Sequence, residues 1–277
     1  MSHLLLSALY VYPIKSAAGI AVTTATVESR GLQCDRRWMV VDAQQRFMTQ
    51  RQHPRMALIQ VAIGPDALTV TAPDMPPLSV PLNLEVEQGN FPAETCPDRL
   101  QVEVWGDWCE GIPVGNESRA WFSEFLQIDC QLVYMPDDAH RPAGHGQHGQ
   151  EHAVSFADGY PFLLISQASL DDLNQRLVEP VPMNRFRPNL VVTGCEAFAE
   201  DRWHTFQIGS VPFQAAKPCS RCVIPTIDQT TGDRGHEPLK TLATYRRWDS
   251  QIWFGQNLIQ KGVGVLTVGD RVTLFPH

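Results

Sequence analysis

The chain has 277 residues, of which 43% are hydrophobic and 19% are charged, and its formal net charge is −8. This composition is typical of a globular protein with a buried core, and the length suits one large or two modest domains. The acidic balance excludes general binding of nucleic-acid polymers, which needs a basic face, but leaves room for a local basic pocket that binds a small anion. No apolar run is long enough to span a bilayer, so we expect no membrane partner.

The first segment, MSHLLLSALYVYPIK, predicts a β-strand. It lacks the early basic residues and the small-residue cleavage site of a signal peptide, so we expect a cytoplasmic protein. Short apolar stretches separated by turns such as GPDA and PDMPP continue to about residue 110 and predict a small barrel or sandwich. We place a domain boundary near residue 112, which gives an N-terminal β-barrel-like domain over 1–112 and a second domain over 113–277.

Helices and strands alternate after this boundary. NESRAWFSEFLQ predicts a helix capped by Asn116, and SQASLDDLNQRL predicts a helix capped by Ser166. Strands are expected at PFLLI, NLVVTG, WHTFQIG and SVPFQAA, a last helix at PLKTLATYRR, and short strands around GVLTVGDRVTLF. The predicted class is therefore β-dominated α/β, with a few surface helices on two β-barrel-like domains.

A polar loop, PDDAHRPAGHGQHGQEH, lies between the first helix and the PFLLI strand. Its glycines oppose a helix, and its composition favours a surface loop over a metal site. The histidines that a metal would use are His145, His148 and His152.

Two motifs that contain basic residues lie beside predicted strands in the first domain. In YPIKSAAG, Lys15 and Ser16 follow a strand end, where a cation, a hydroxyl and backbone amides can bind a phosphate. In CDRRWMVVD, strand alternation is expected to send Arg36 and Arg37 to opposite faces, so that one could reach an inward anion. Taken alone, each pattern is more typical of solvated surface residues than of an anion site.

Two further candidates precede strands in the second domain. MNRFRPNLVV carries Arg185 and Arg187, which would share a face of an extended chain, and Asn189, which offers a donor and an acceptor. A structural salt bridge is the competing explanation. SFADGYPFLLIS places Asp158 in a turn, either as a proton-transfer group or as an ordinary turn residue.

Seven widely spaced cysteines argue against a disulfide scaffold. Cys219 and Cys222 form the one local pair, in KPCSRC, and no second pair is present to complete a zinc site. The strand-and-turn context disfavours a redox disulfide. The cations Lys217 and Arg221 favour a thiolate that could bind a transition metal already held by other sulfurs, although two buried thiols would explain the pair as well.

Together and in this order, the motifs resemble the MOSC family, named after the C-terminal domain of molybdenum cofactor sulfurase. They are YP-I-KS-A, DRRW, S-x-AD-x-x-PFL-LIS, NRFRPNLVV-x-GC, AED-x-W, PCSRC-x-x-PT-x-D-x-x-TG and P-LKTL-x-x-YR. The resemblance covers nearly the whole chain, including the β-barrel domain that often precedes MOSC. It is nearest to the mitochondrial amidoxime-reducing components and the bacterial N-hydroxylaminopurine-resistance proteins.

The resemblance implies a molybdenum enzyme that reduces N-hydroxylated or otherwise N-oxygenated small compounds. The metal would be held by a pterin dithiolene and by Cys222, with Cys219 structural and Asp158 near the metal as a second catalytic residue. The residues implied to bind the molybdenum cofactor (molybdopterin) are Lys15, Ser16, Arg36, Arg187, Asn189, Ser220 and Arg221. Because the chain shows no iron–sulfur motif after its second domain, we expect electrons from a separate protein of the ferredoxin or flavoprotein-reductase type.

The chain departs from the family pattern at two places. Ala17 stands where mitochondrial relatives have Cys, and this small residue should not abolish cofactor binding. Gly159 and Tyr160 stand where relatives often have hydroxyl residues, so substrate preference is expected to differ. The alternative function is a carrier that holds sulfur or a metal–sulfur species on Cys222, for instance as a persulfide. The family resemblance also admits pyridoxal phosphate binding.

Overall fold

A computed structural model describes residues 3–82, 84, 99–143 and 152–275. About 41% of the chain is in strands and 17% is helical, which confirms the predicted β-dominated class. Within the described residues, no helix is both long and apolar enough to cross a membrane. His145 and His148 of the expected polar loop lie outside the described residues.

In chain order, the strands of the described residues are β1 (Leu5–Val11), β2 (Ile20–Val22), β3 (Thr24–Glu28), β4 (Gly31–Leu32), β5 (Trp38–Asp42), β6 (Gln60–Ile63), β7 (Ala67–Thr71), β8 (Leu78–Pro81), β9 (Leu100–Val104), β10 (Asp107–Pro113), β11 (Cys130–Tyr134), β12 (Pro142–Ala143), β13 (His152–Ala153), β14 (Phe162–Ser166), β15 (Leu190–Thr193), β16 (Thr205–Ile208), β17 (Val211–Ser220), β18 (Arg247–Trp248), β19 (Gln251–Gln260), β20 (Gly264–Thr267) and β21 (Val272–Leu274). The α-helices are α1 (Asn116–Leu126), α2 (Gln167–Arg176) and α3 (Leu239–Leu242). Short 3₁₀ helices span Pro54–Leu58, Met183–Arg185, Ala199–Arg202 and Ile224–Thr226.

The largest sheet has the strand order β2–β1–β15–β14–β19–β17–β16–β21, and β18 pairs with the start of β19. β14 and β15 run parallel, so the segments that enter them lie side by side. β1 is antiparallel to β15, with Leu9 opposite Leu190, so the end of β1 reaches the same edge. This topology brings together the segments that follow β1, precede β14 and precede β15.

β17 reaches the same region by bending. Its pairing with β19 shifts register between Ala215 and Lys217 and again between Pro218 and Ser220. Irregularities of this kind bend a strand and re-aim its side chains. Pro218 adds to the effect because it has no N–H to donate to the ladder.

Smaller sheets complete the fold. Their orders are β5–β11–β10–β9, β20–β3–β4, β6–β7–β8 and β12–β13. The pairings between described strands leave every sheet open rather than closed into a barrel. Val27 of β3 lies opposite Gly264 of β20, so the first and last parts of the chain share a sheet.

Two large apolar clusters form the core. One packs Trp38 with the aromatic face of α1, including Phe122 and Phe125, all nearly inaccessible to solvent. The other surrounds the large sheet, where Phe162 and Phe213 meet edge to face at 5.2 Å. Burial of such side chains is the main favourable contribution to folding. The site described below lies where segments from both regions meet.

The structure corrects two predicted helix boundaries and confirms a third. Asn116 is the first residue of α1 rather than its cap, because Gly115 adopts a φ of 117° and turns the chain one residue earlier. α3 ends at Leu242, well before the predicted end, because the chain turns to enter β18. Ser166 caps α2 as predicted, since its hydroxyl accepts the backbone N–H of Ser169 at 3.1 Å.

Gly255 tests how tightly β19 packs against β14. Both Gly255 and Gly106 have left-handed φ values, 83° and 87°, but a Cβ on Gly255 would lie 2.9 Å from the carbonyl oxygen of Leu164, whereas Gly106 has open space. Gly255→Ala should therefore destabilise the protein by about 1–3 kcal/mol more than Gly106→Ala, which carries the backbone strain alone. Urea unfolding measures the difference, and equal losses for the two variants would contradict the packing.

Candidate active site

All nine residues predicted to catalyse or to bind a cofactor line one pocket. They are Lys15, Ser16, Arg36, Asp158, Arg187, Asn189, Ser220, Arg221 and Cys222. They come from five segments that are far apart in the chain. Their individual roles remain predictions, but their geometry defines what each can do.

A buried tyrosine organises two of the cations. The guanidinium carbons of Arg36 and Arg187 lie 4.8 and 4.4 Å from the ring centre of Tyr12. Tyr12 is itself held at both ends, because its backbone N–H donates to Asp35 Oδ1 at 2.8 Å and its hydroxyl donates to the carbonyl of Pro188 at 3.0 Å. Aromatic faces attract cations, so this one ring stabilises two positive charges that would otherwise repel. Sequence reasoning missed Tyr12.

Arg187 carries a charge that makes no hydrogen bond or ion pair with any described residue. Its side chain is 8% exposed, and among the described residues it forms no hydrogen bond or ion pair beyond its contact with Tyr12. Burial lowers its pKa to about 10, so the group is still charged at neutral pH. A buried, unpaired cation is costly, and an anionic ligand would remove that cost.

Asn189 holds Arg36 in place. Its Nδ2 donates to the carbonyl of Tyr10 at 3.2 Å and to Asp35 Oδ1 at 3.1 Å. Its Oδ1 accepts from Arg36 Nη1 and from the backbone N–H of Leu163, both at 3.3 Å. Asp35 also forms an ion pair with Arg36. The amide is thus fully engaged with protein groups, and its contact with Arg36 helps to orient that guanidinium.

Two cations form ion pairs with Asp158. Lys15 Nζ donates to Oδ1 at 2.5 Å, and Arg51 Nη2 donates to Oδ2 at 2.8 Å. Lys15 is buried and also donates to the carbonyl of Phe156 at 2.7 Å. Half of the Asp158 side-chain surface remains exposed in the pocket. The carboxylate is therefore fixed in position and still accessible to a ligand.

Asp158, Lys15 and Arg51 shift one another's pKa values. Burial raises the pKa of Asp158, but the charges and hydrogen bonds of Lys15 and Arg51 outweigh it and hold the pKa well below its usual range. Burial lowers the pKa of Lys15 to about 8, although Asp158 opposes the change. At neutral pH the carboxylate is ionised, and Lys15 holds a proton that it can release close to that pH.

Arg51 is a site residue that sequence reasoning missed. Its guanidinium hydrogen bonds to Asp158, and Asp158 and Cys222 both lie close enough to raise its pKa against the lowering effect of burial. It also lies 4.8 Å from the ring centre of Trp105. The stretch TQRQHPR that contains it has no distinguishing local pattern, so only the fold reveals the contact.

The cysteine loop separates its two thiols by their surroundings. Arg221 Nη1 donates to Cys219 Sγ at 3.2 Å and Nη2 donates to the carbonyl of Phe186 at 2.7 Å. Arg221 Nε is buried without a partner. Both thiols line the pocket, but Cys219 accepts a hydrogen bond from Arg221, whereas Cys222 lies beside Arg51.

A buried arginine holds the loop that carries Asp158. Arg141 is 1% exposed, and its guanidinium donates to the carbonyls of Ser155 at 3.1 Å, Ala157 at 2.5 Å and Asp158 at 3.3 Å. It also pairs with Asp107 at 3.2 Å. Hydrogen bonds from a charged donor are strong, so Arg141 restricts the backbone beneath the carboxylate. It too escaped sequence reasoning, because it lies in the polar loop.

The two arginines of MNRFRPNLVV do not share a face as expected. Arg185 ends the 3₁₀ helix Met183–Arg185 and donates to the carbonyl of Pro225 at 2.8 Å. Arg187 has a φ of 58° and turns into the pocket. The prediction of a shared face is wrong because it assumed an extended chain, whereas this segment forms a 3₁₀ helix and then turns at Arg187.

The pocket is strongly cationic although the protein is acidic. Its lining contains five cationic side chains, of Lys15, Arg36, Arg51, Arg187 and Arg221, and one carboxylate, of Asp158. The described residues contain no cluster of three or more His, Cys, Asp or Glu side chains that could hold a metal by themselves. One thiol beside this basic lining suits a metal that arrives with an anionic cofactor supplying its other ligands.

Comparison with known proteins identifies the family. Residues 3–129 match the MOSC N-terminal beta barrel domain, and residues 151–273 match the MOSC domain. A relative named mitochondrial amidoxime-reducing component 1, from Mus musculus, is 36% identical over 96% of this chain and 81% of its own length. The chain belongs to the MOSC family. Further relatives of this MOSC protein are component 2 of Rattus norvegicus, at 35% identity, and component 1 of Homo sapiens, at 32%, each covering 96% of this chain and 82% of their own length.

The ion pair of Asp158 predicts a pH-dependent stability. Asp158→Asn leaves the buried Lys15 ammonium with fewer partners, so the free energy of unfolding at pH 7 should fall by about 1–3 kcal/mol, with the exposed half of the side chain reducing the effect. A carboxyl with a lowered native pKa stabilises above its unfolded pKa, and this contribution is lost as pH falls through the native value.

The difference between wild type and Asp158→Asn should therefore shrink as pH drops below about 4. Urea titrations across pH measure it, with Asp74→Asn as control, because Asp74 is exposed and forms no ion pair among the described residues. A difference that stays constant down to acid pH would contradict the ion pair's contribution.

Proposed function

We propose that this MOSC protein is a reductase of N-hydroxylated small molecules that works with the molybdenum cofactor and takes electrons from a separate protein. The observation that supports this most is the Cys222 thiol in a pocket whose lining is cationic and includes the unpaired guanidinium of Arg187. The names of the amidoxime-reducing relatives support the substrate class.

The pocket residues fit an anionic pterin cofactor. Arg187 has no anionic partner among the described residues, and Arg221 Nε is a buried donor without an acceptor, so a phosphate or polar ring edge would satisfy both. Lys15, Ser16, Arg36 and Ser220 line the same space. In this proposal Cys222 supplies the thiolate ligand, and Cys219 stays with Arg221.

When bound in this pocket, the cofactor would supply the chemistry of oxygen-atom transfer from an N–O bond and of two-electron storage. Reduction of an N-hydroxyl compound consumes two electrons and two protons and yields the amine or amidine and water. Lys15 Nζ, hydrogen-bonded to Asp158, holds a proton with a pKa of about 8 and can pass it toward the pocket. Arg51 keeps Asp158 ionised and oriented beside Cys222.

Several finer points belong to this proposal. A donor of the ferredoxin or flavoprotein-reductase type, a cytoplasmic location and the division of the chain near residue 112 stay predictions. The location is left open because the named relatives are mitochondrial. The division near residue 112 is left open because β3, which precedes it, pairs with β20, which follows it. Pyridoxal phosphate binding is left out of the proposal, because the buried amine of Lys15 is already engaged by Phe156 and Asp158.

Cys222→Ala should abolish the activity. Protein made in a host that synthesises the cofactor should contain molybdenum and pterin and reduce benzamidoxime with a chemical reductant, whereas Cys222→Ala should lose at least about 100-fold in rate, since the thiolate is a metal ligand. Cys219→Ala is the matched control and should retain both metal and activity.

The same preparation distinguishes the reductase from the alternative function, which is the sulfur carrier. A wild-type protein without molybdenum or pterin, but carrying a reductant-sensitive mass increase of one sulfur on Cys222, would support the sulfur carrier and overturn the reductase. Full activity in Cys222→Ala would remove the ligand role.

Arg187→Gln should weaken cofactor retention. Removing the unpaired charge deletes a charge-assisted contact, so molybdenum and pterin content after purification should drop roughly 10-fold or more. The surface variant Arg99→Gln, which breaks an exposed pair with Glu110, should retain its content. Metal analysis and pterin fluorescence after oxidation measure both, and unchanged content in Arg187→Gln would argue that the anion binds elsewhere.

A further inference from the structure

Tyr160 continues the pocket wall that carries Asp158, and the proposed function gives it no role. Its ring stacks on the imidazole of His152 with centroids 5.1 Å apart and planes inclined by 20°. The ammonium of Lys217 lies 5.4 Å from the same ring centre. His152 Nε2 is bonded to the carbonyl of Gly159 at 2.9 Å, which ties the imidazole to the Asp158 loop. The ring is therefore held by two side chains and by the loop itself.

The hydroxyl of Tyr160 is free to meet a ligand. Among the described residues it has no hydrogen-bond partner, and the residue is only partly buried. Burial raises the pKa of Tyr160, so the hydroxyl keeps its proton at neutral pH. A phenol in this state both donates and accepts, which suits a neutral group that contains N–H and O–H atoms.

Tyr160 has different neighbours from the two cations that contact Tyr12. Arg36 and Arg187 contact Tyr12, whereas Tyr160 contacts His152 and Lys217 and lies two residues from Asp158. The exposed half of the Asp158 carboxylate opens into the same space. A small molecule beside Asp158 would thus have the phenol as a neighbouring hydrogen-bonding group.

We propose that Tyr160 is a specificity-determining residue whose hydroxyl hydrogen bonds to the N-hydroxyl or amidine group of the substrate, and that Lys217 is a positioning residue that holds its ring. This inference rests on the proposed function. Because the two neighbours hold the ring in place, little side-chain freedom is lost when the substrate binds. Tyr160 therefore recognises the polar head of the substrate.

The first test is Tyr160→Phe in the molybdenum-loaded protein, with benzamidoxime as substrate and a chemical reductant. Only the hydroxyl is removed, so KM should rise about 3- to 10-fold while kcat changes less than about twofold. Benzamidine binding, measured calorimetrically with the oxidised protein, should weaken by a similar factor. Molybdenum and pterin content should not change. Tyr245→Phe, outside the pocket, is the matched control and should leave all three quantities unchanged.

The second test is a double-mutant cycle. Lys217→Met keeps most of the side chain but removes the cation, so KM should rise by less than in Tyr160→Phe. The double variant should be no worse than Tyr160→Phe alone, since Lys217 acts through the phenol. Additive effects would contradict the positioning role.

Three results would overturn the inference. Unchanged KM and benzamidine affinity in Tyr160→Phe would show that the hydroxyl does not meet the substrate. A loss of pterin in that variant would assign Tyr160 to the cofactor instead. A wild-type protein that is fully loaded with molybdenum yet inactive on benzamidoxime would defeat the proposed function, and the inference with it. Normal wild-type activity with no effect of Tyr160→Phe would defeat the inference alone.

Discussion

The contact of one tyrosine ring with two arginines is the constraint on which the site depends. Arg36 and Arg187 are both largely buried, and two like charges in a protein interior are tolerated only when other groups offset them. The π face of Tyr12 attracts both guanidinium groups, while Asp35 and Asn189 engage Arg36 alone. Arg187 makes no hydrogen bond or ion pair among the described residues, although the charges of Asp35 and Asp158 favour its protonated form. The fold therefore favours an anion at this point, in a protein whose overall charge is negative.

A second arrangement of charges keeps Asp158 ionised and immobile beside Cys222. Lys15 and Arg51 bind its two carboxylate oxygens, and Arg141 holds the backbone beneath it. Arg51 extends this arrangement to the sulfur of Cys222. The cationic side of the pocket and the side that carries Asp158 thus meet at Cys222. Tyr160, whose ring centre lies 5.4 Å from the ammonium of Lys217, forms a further part of the pocket lining.

Sequence reasoning recovered the strands well, because alternating apolar runs bounded by turn residues report local burial directly. It found the residues of the pocket through the order of several motifs, none of which was specific alone. Its predictions of local backbone conformation were less accurate. Arg36 reaches the pocket with a φ of 51° instead of through strand alternation, and Arg187 turns away from Arg185 because the segment is not extended. Backbone conformations with positive φ at non-glycine residues have weak sequence signals.

The amino-acid sequence by itself determined the β-rich class, the family and the candidate cysteine, since these depend on composition, short-range periodicity and ordered motifs. Only the tertiary structure decided which cations lack a hydrogen-bond partner among the described residues, which thiol Arg221 contacts, and that Tyr12, Arg51 and Arg141 belong to the site. The reason is that pairing and burial depend on contacts between residues far apart in the chain, such as Lys15 with Asp158 and Arg36 with Asn189. Such contacts arise from strand register and loop geometry, which no local pattern encodes.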